Sequence, residues 1–238
     1  MKKKIIIGII VIFLIVTAIV CNLNLKKDTK DTKISDNIKF KNEYEELNNT
    51  ISEGTQKRYP TVNIPQDNGV KYVSIQETLD ILDSKTGIIY FGFPKCPWCR
   101  NAVPVLLNAA SSTGVDQIYY LNISDVRDKL ELDKNNKVVE KEKGKEGYKD
   151  LLKKLDSILD DYQLETDDGQ KVETNEKRIY VPLVVFVKEG KIVSYHADTV
   201  ESQKDPYVKL TNDQTEELYN IYVDGIVKMQ DSSCDESC

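Results

Sequence analysis

Histidine occurs once in this 238-residue chain, at His196, and cysteine only five times. A single histidine leaves no second Cys/His pair of the kind from which structural zinc sites are usually built. Five cysteines are also too few to staple a small secreted scaffold. No long stripe of one charge sign is present. The charged residues are mixed and the formal net charge is -6, which argues against nucleic acid as a partner. The length permits one large domain with a tail, or two small domains.

One long uncharged apolar run is present, from Ile5 to Val20, behind the basic start Met1-Lys2-Lys3-Lys4. As a helix it would measure about 24 Å, slightly short of a hydrocarbon core of ~30 Å. Three readings stay open: a signal anchor, a signal peptide cleaved near Val16-Thr17-Ala18, and a lipoprotein acylated at Cys21. Against the last, Val20 is larger than the small residue that normally precedes a lipoprotein cysteine. All three export the C-terminal body and leave the basic start inside. The expected location is the cell membrane, with the body on the extracytoplasmic, oxidising side.

The scarce cysteines are grouped: Cys21 alone, Cys96 with Cys99, and Cys234 with Cys238. The middle pair, Cys96-Pro97-Trp98-Cys99, follows the apolar run Gly87 to Phe93, which reads as a buried strand. It opens a segment, Pro97 to Ala110, that reads as a helix. Unpaired N–H groups and the helix dipole at such a junction favour a thiolate, the species that attacks disulfides. A zinc half-site or a plain structural disulfide are the bland alternatives. The Pro97-Trp98 spacer is unlike a zinc knuckle, and a C-x-x-C beside a βαβ pattern points to redox chemistry.

Residues 22 to about 37 are polar and read as a solvated stalk. Phe40, Tyr44, Leu47 and Ile51 then recur at helical spacing, as either a short docked helix or a partly helical linker. The expected organisation is a targeting segment at 1–21, a stalk with a possible helix at 22–58, a body at 59–231 and a tail at 232–238. Ser74 to Glu77 is a capping box opening a helix to Lys85. Gln117 to Ile123 is a strand parallel to the first. An excursion from Ser124 to Arg178 carries a hairpin within Leu130–Val139, an amphipathic helix from Tyr148 to Tyr162 and a second turn at Asp167-Asp168-Gly169. The chain then re-enters the sheet at Tyr180 to Val187, with Val181-Pro182 at the strand start, and turns at Glu189-Gly190 into Lys191 to His196. Thr211 to Gln214 caps a last helix running to about Met229.

These elements, in this order, resemble the thioredoxin superfamily over roughly residues 60–230. The likeness is nearest to exported thioredoxin-like proteins of Gram-positive bacteria, including bacteriocin-transport accessory proteins. It implies an α/β fold, a central mixed sheet flanked by helices, with a helical and hairpin insertion before a cis-proline strand. It also implies an attacking thiol at Cys96, a resolving thiol at Cys99 and a cis-proline at Pro182. Val181, Pro97 and Trp98 would then contact the substrate. The activity implied is thiol–disulfide exchange with protein or peptide clients, without cofactor or metal, and with a membrane redox partner possible. The alternative is a non-catalytic accessory module for peptide export. Three departures stand out. The spacer Pro97-Trp98 is nearer to glutaredoxins, Tyr90 occupies the place of the superfamily's buried acid, six residues before Cys96, and the excursion from Ser124 to Arg178 is far longer than thioredoxin's single connecting helix.

Other residues carry two readings each. Lys95 and Arg100 are either cations that favour the Cys96 thiolate or solvated charges. His196 either approaches the site or satisfies a strand end. Cys234 and Cys238, at i and i+4, are close enough in sequence to bridge. They form either a second redox pair exchanging with Cys96/Cys99 or an idle tail disulfide. The insertion, without cysteine or histidine, is expected to bear on client choice. Export predicts that protease added to wall-stripped cells digests the body. Protection of the body there would place it in the cytoplasm.

Overall fold

The structure, a computed structural model, describes residues 34–231. The N-terminal apolar run, with its anchor, signal-peptide and lipoprotein readings, lies outside the described residues, as do Cys21, Cys234 and Cys238. Among the described residues no helix is long and apolar enough to cross a membrane.

The sheet is built on two strands without a polar face. In β2 (Gly87–Gly92) all six residues are buried, and in β8 (Leu183–Lys188) the first five are. Such unbroken apolar runs need cover on both faces. Alternation divides them: Ile88, Tyr90, Val184 and Phe186 look to one face, and Ile89, Phe91, Leu183, Val185 and Val187 to the other. The complete sheet has the order β1-β3-β2-β8-β9, with β1 (Val70–Tyr72), β3 (Ile118–Asn122) and β9 (Lys191–Ala197) added. The β1–β3 and β3–β2 pairs are parallel, whereas β2–β8 and β8–β9 are antiparallel. Glu189 and Gly190, both at positive φ, make the β8–β9 turn. The protein is thus a mixed α/β fold with a five-stranded mixed sheet between helices.

On the first face lie α1 (Asp36–Glu45), α3 (Pro97–Ser112) and α5 (Asn212–Gln230). On the second lie α2 (Ile75–Ser84) and α4 (Tyr148–Lys154). Capping boxes open α2 at Ser74 and α5 at Thr211, as their sequences imply. The compact unit begins at Asp36, so the segment 36–58, expected as a linker or a short docked helix, belongs to the body. Phe40 and Tyr44 are fully buried, the Asn48 side chain brackets the Val62 backbone at 2.8 and 2.9 Å, and Glu45 accepts the Ile64 N–H at 2.7 Å.

The excursion is a docked subdomain. Its first hairpin pairs β4 (Lys129–Leu132) with β5 (Val138–Glu142), and its second pairs β6 (Asp160–Glu165) with β7 (Lys171–Arg178) around Gly169. The single helix expected from Tyr148 to Tyr162 is not found. It stops at Lys154, a 3-10 turn covers Asp156–Ile158, and Tyr162 lies in β6. Burial of Leu155 and Leu159 preserves the apolar spacing without a helix. Pairing across the Asp167-Asp168-Gly169 turn claims the residues that follow. An ion cluster ties the parts together: the buried Asp128 carboxylate meets Arg178 from β7 and Lys149 from α4, and Lys149 also meets Glu176.

The cover is tight where α5 crosses β8. A Cβ on Gly225 would collide with the Phe186 ring, which is fully buried and cannot yield. Gly225→Ala is therefore expected to lower stability by about 1–3 kcal/mol, the usual cost of overpacking. Urea unfolding measures this, and an unchanged midpoint would show that the helix can lift away.

Candidate functional site

Antiparallel pairing builds the site. Phe91, at the end of β2, pairs with Leu183, at the start of β8. The residues just beyond one strand end therefore face those just before the other. Cys96, on the β2 side, is the N-cap of α3. Its Sγ accepts the Cys99 backbone N–H at 3.1 Å, using a donor that every helix start leaves free. Pro97 takes the first helical position, where a missing N–H costs nothing. On the β8 side the Val181–Pro182 bond is cis, and the Val181 carbonyl stands 3.7 Å from Cys96 Sγ.

Both thiols are free, but they differ in access. Cys96 keeps 5% of its surface exposed and Cys99 none. Burial pushes the Cys99 thiol well above its ordinary range, and its hydrogen bond to Cys96 adds to this; the Phe93 backbone and the Tyr90 side chain act in the opposite sense.

Below Cys99 lies a group of tyrosines. Tyr90 and Tyr44 share a hydroxyl–hydroxyl hydrogen bond of 2.9 Å, and Tyr90 stacks on Tyr120 at 5.4 Å. Burial raises all three phenols well above their usual range, so they stay protonated. Tyr90 alone hydrogen-bonds the Cys99 sulfur, Tyr120 donates to the Gly92 carbonyl at 3.3 Å, and none of the three acts as a base. Asp128 is the one buried carboxylate among the described residues, and Arg178 and Lys149 hold it.

Scanned against family models, curated proteins and solved structures, the chain matches none.

A groove of about 800 Å³ opens on Cys96. Phe93 and Pro97 line it from the motif, Tyr180 and Val181 from the approach to β8, and Arg127, Tyr162 and Arg178 from the insertion. Trp98 is half-buried and is not among the lining residues. Lys95 is exposed and pairs with Glu53 at 3.0 Å. Arg100 is neither a solvated charge nor aimed at the groove. It is 1% exposed and donates to the carbonyls of Pro60, Tyr44 and Pro94 and to Asn48 Oδ1. His196 satisfies a strand end, its Nε2 donating to the Thr199 carbonyl at 2.5 Å.

The sequence reading did not single out Tyr44, Arg127, Tyr162 or Tyr180 for this site. Their neighbours come from distant chain segments, so no local pattern marks them. Among the described residues no His/Cys/Asp/Glu cluster could hold a metal ion.

Tyr90→Phe tests the phenol's role. A sulfur with a raised pKa reacts faster as pH rises, so losing a donor moves the Cys99 profile further alkaline. Release of a mixed disulfide on Cys96 should slow about tenfold at neutral pH, the scale of one hydrogen bond to a charged group. Single-turnover release across pH measures this, and an unmoved profile would remove Tyr90 from the chemistry.

Proposed function

We propose that this protein is an exported, membrane-attached thiol–disulfide oxidoreductase with a thioredoxin-like fold, acting through Cys96 and Cys99. The observation that carries the reading is the environment of Cys96 Sγ: a helix N-terminus, a backbone N–H donor, a neighbouring thiol and a groove to solvent. An idle structural pair would need no such access. The mixed sheet with its flanking helices agrees with the fold proposed, and export rests on the apolar run Ile5 to Val20 behind three lysines.

In the reductive direction the Cys96 thiolate attacks one sulfur of a client disulfide. The client S–S bond breaks, and its other sulfur leaves as a thiolate and takes a proton. A mixed disulfide now joins Cys96 to the client. Cys99 then loses its proton and attacks Cys96 Sγ, so the second client sulfur leaves and a Cys96–Cys99 disulfide remains. The client has gained two electrons and the protein has lost two. The reverse sequence oxidises a client dithiol. An extended client strand laid beside Val181 would pair with its backbone, whose carbonyl otherwise faces the Cys96 thiol at 3.7 Å, as edge-strand recognition does.

Cys96→Ser should abolish reduction of a disulfide-bonded protein such as insulin. Cys99→Ser should accumulate mixed disulfides that electrophoresis without reductant resolves. In the reduced protein at mildly acidic pH, an alkylating agent should label Cys96 before Cys99. Exchange that survives Cys96→Ser would sink the role given to Cys96, and no exchange by the wild-type protein would favour a non-catalytic accessory module.

A further inference from the structure

Seven charged side chains line the groove beside Cys96, and six of them have ionic partners among the described residues. Arg178 meets Asp128, Lys95 meets Glu53, and Lys129 meets both Glu131 and Glu142. The seventh is Arg127. Among the described residues its guanidinium has no carboxylate and no hydrogen-bond acceptor, only the Phe93 ring face 5.3 Å away. Yet it is half-buried, and desolvating an unpaired charge is costly. Burial and the nearby Arg178 charge both work against its positive charge. An anion placed there would relieve both.

The segment that presents Arg127 is held firmly. Its own N–H bonds the Ile123 carbonyl at 3.0 Å, the Val126 carbonyl accepts from Lys145 at 2.8 Å, and Asp128 is clamped by Arg178. Phe93, under the guanidinium, lies three residues before Cys96 and so fixes the cation relative to the reacting sulfur. Tyr180, 45% exposed, and Tyr162 offer aromatic edges along the same groove.

We propose that Arg127 is a client-recognition residue: it receives a carboxylate carried by the client segment beside the reacting cysteine. This deepens the oxidoreductase reading and rests on it for the identity of the client. A planar guanidinium with its donors free suits a carboxylate in a two-point contact. The carboxylate comes from an acidic side chain or from a chain terminus, and the test separates the two.

The probes are disulfide-linked, self-quenched peptides that differ in one residue next to cysteine, Glu, Gln or Lys. A fourth, the Gln peptide, has a free and not an amidated C-terminus adjacent to its cysteine. With the wild-type protein, kcat/KM for the Glu peptide or for the free-terminus peptide should exceed that for the amidated Gln peptide by about tenfold, through KM. In Arg127→Gln the ratio should fall to near one, and Arg127→Lys should keep part of it. The ratio is taken within one protein, so partial unfolding of a variant does not move it. No preference in the wild type, or a preference that survives Arg127→Gln, would overturn the proposal. A uniform loss on all peptides, with an alkaline shift of Cys96 alkylation by iodoacetamide, would also overturn it and make Arg127 a modulator of the thiol.

If no peptide is turned over, the oxidoreductase reading fails, and binding decides the proposal separately. Fluorescence anisotropy with the Cys96→Ser/Cys99→Ser protein should still rank an acidic peptide above the amidated Gln peptide. Equal binding would sink the recognition role as well.

Discussion

The antiparallel register of β2 on β8 is the constraint on which the rest depends. Phe91 opposite Leu183 fixes where two chain segments, 85 residues apart at Cys96 and Val181, come together. A slip by one residue would turn both strands' apolar sets to the wrong faces. Both faces are closed by helices, so no such slip is tolerated, and the position of the thiols inherits the rigidity of the core. The insertion enters between the two strands in sequence but not in the sheet. It leaves after β3 and returns before β8, and its base therefore stands beside the groove.

Beneath the thiols the chain replaces charge with hydroxyls. A carboxylate at position 90 would lie in a site already closed by Tyr44, Tyr120 and α1, and ionising it there would carry a large desolvation cost. Tyr90 avoids that cost, but a phenol that stays protonated cannot take the Cys99 proton. In the exchange we propose, the leaving client thiolate and solvent reaching the mixed disulfide would be the available acceptors. Aromatic bulk here also has a packing role: the Tyr90 ring lies over Gly92, where any side chain would collide with it.

Strand and helix order in the body was legible because β2, β8 and the capped helices follow strong local rules. The two capping boxes, the Glu189-Gly190 turn and the apolar runs each need only neighbours within a few residues. Three features were legible only in part or not at all, for the same reason. Phe40 and Tyr44 at helical spacing offered α1 as one of two readings, and only their burial against the sheet decides for the docked helix. The three-residue β1 exists only because β3 offers an edge. The end of α4 was misread because Leu155 and Leu159 are buried at helical spacing without being helical. At the candidate site, Cys96 and Cys99 announce themselves by spacing, whereas Arg127 is one of many scattered cations until the fold sets Phe93 beneath it. Arg100 shows the converse, since adjacency to the motif in sequence does not bring its charge to the groove.

Arg100 also reaches across a boundary that composition draws in the wrong place. Its guanidinium is buried without a carboxylate and is satisfied by carbonyls of Tyr44 and Pro60 together with the Asn48 amide. Two of those three acceptors lie upstream of residue 59. A fragment cut at Tyr59 would strip the guanidinium of them, leave Tyr90 without its hydroxyl partner and open the sheet above Tyr120. The α1 helix is thus part of the foundation beneath Cys96 and Cys99, and force or proteolysis acting on it would be felt at Cys99.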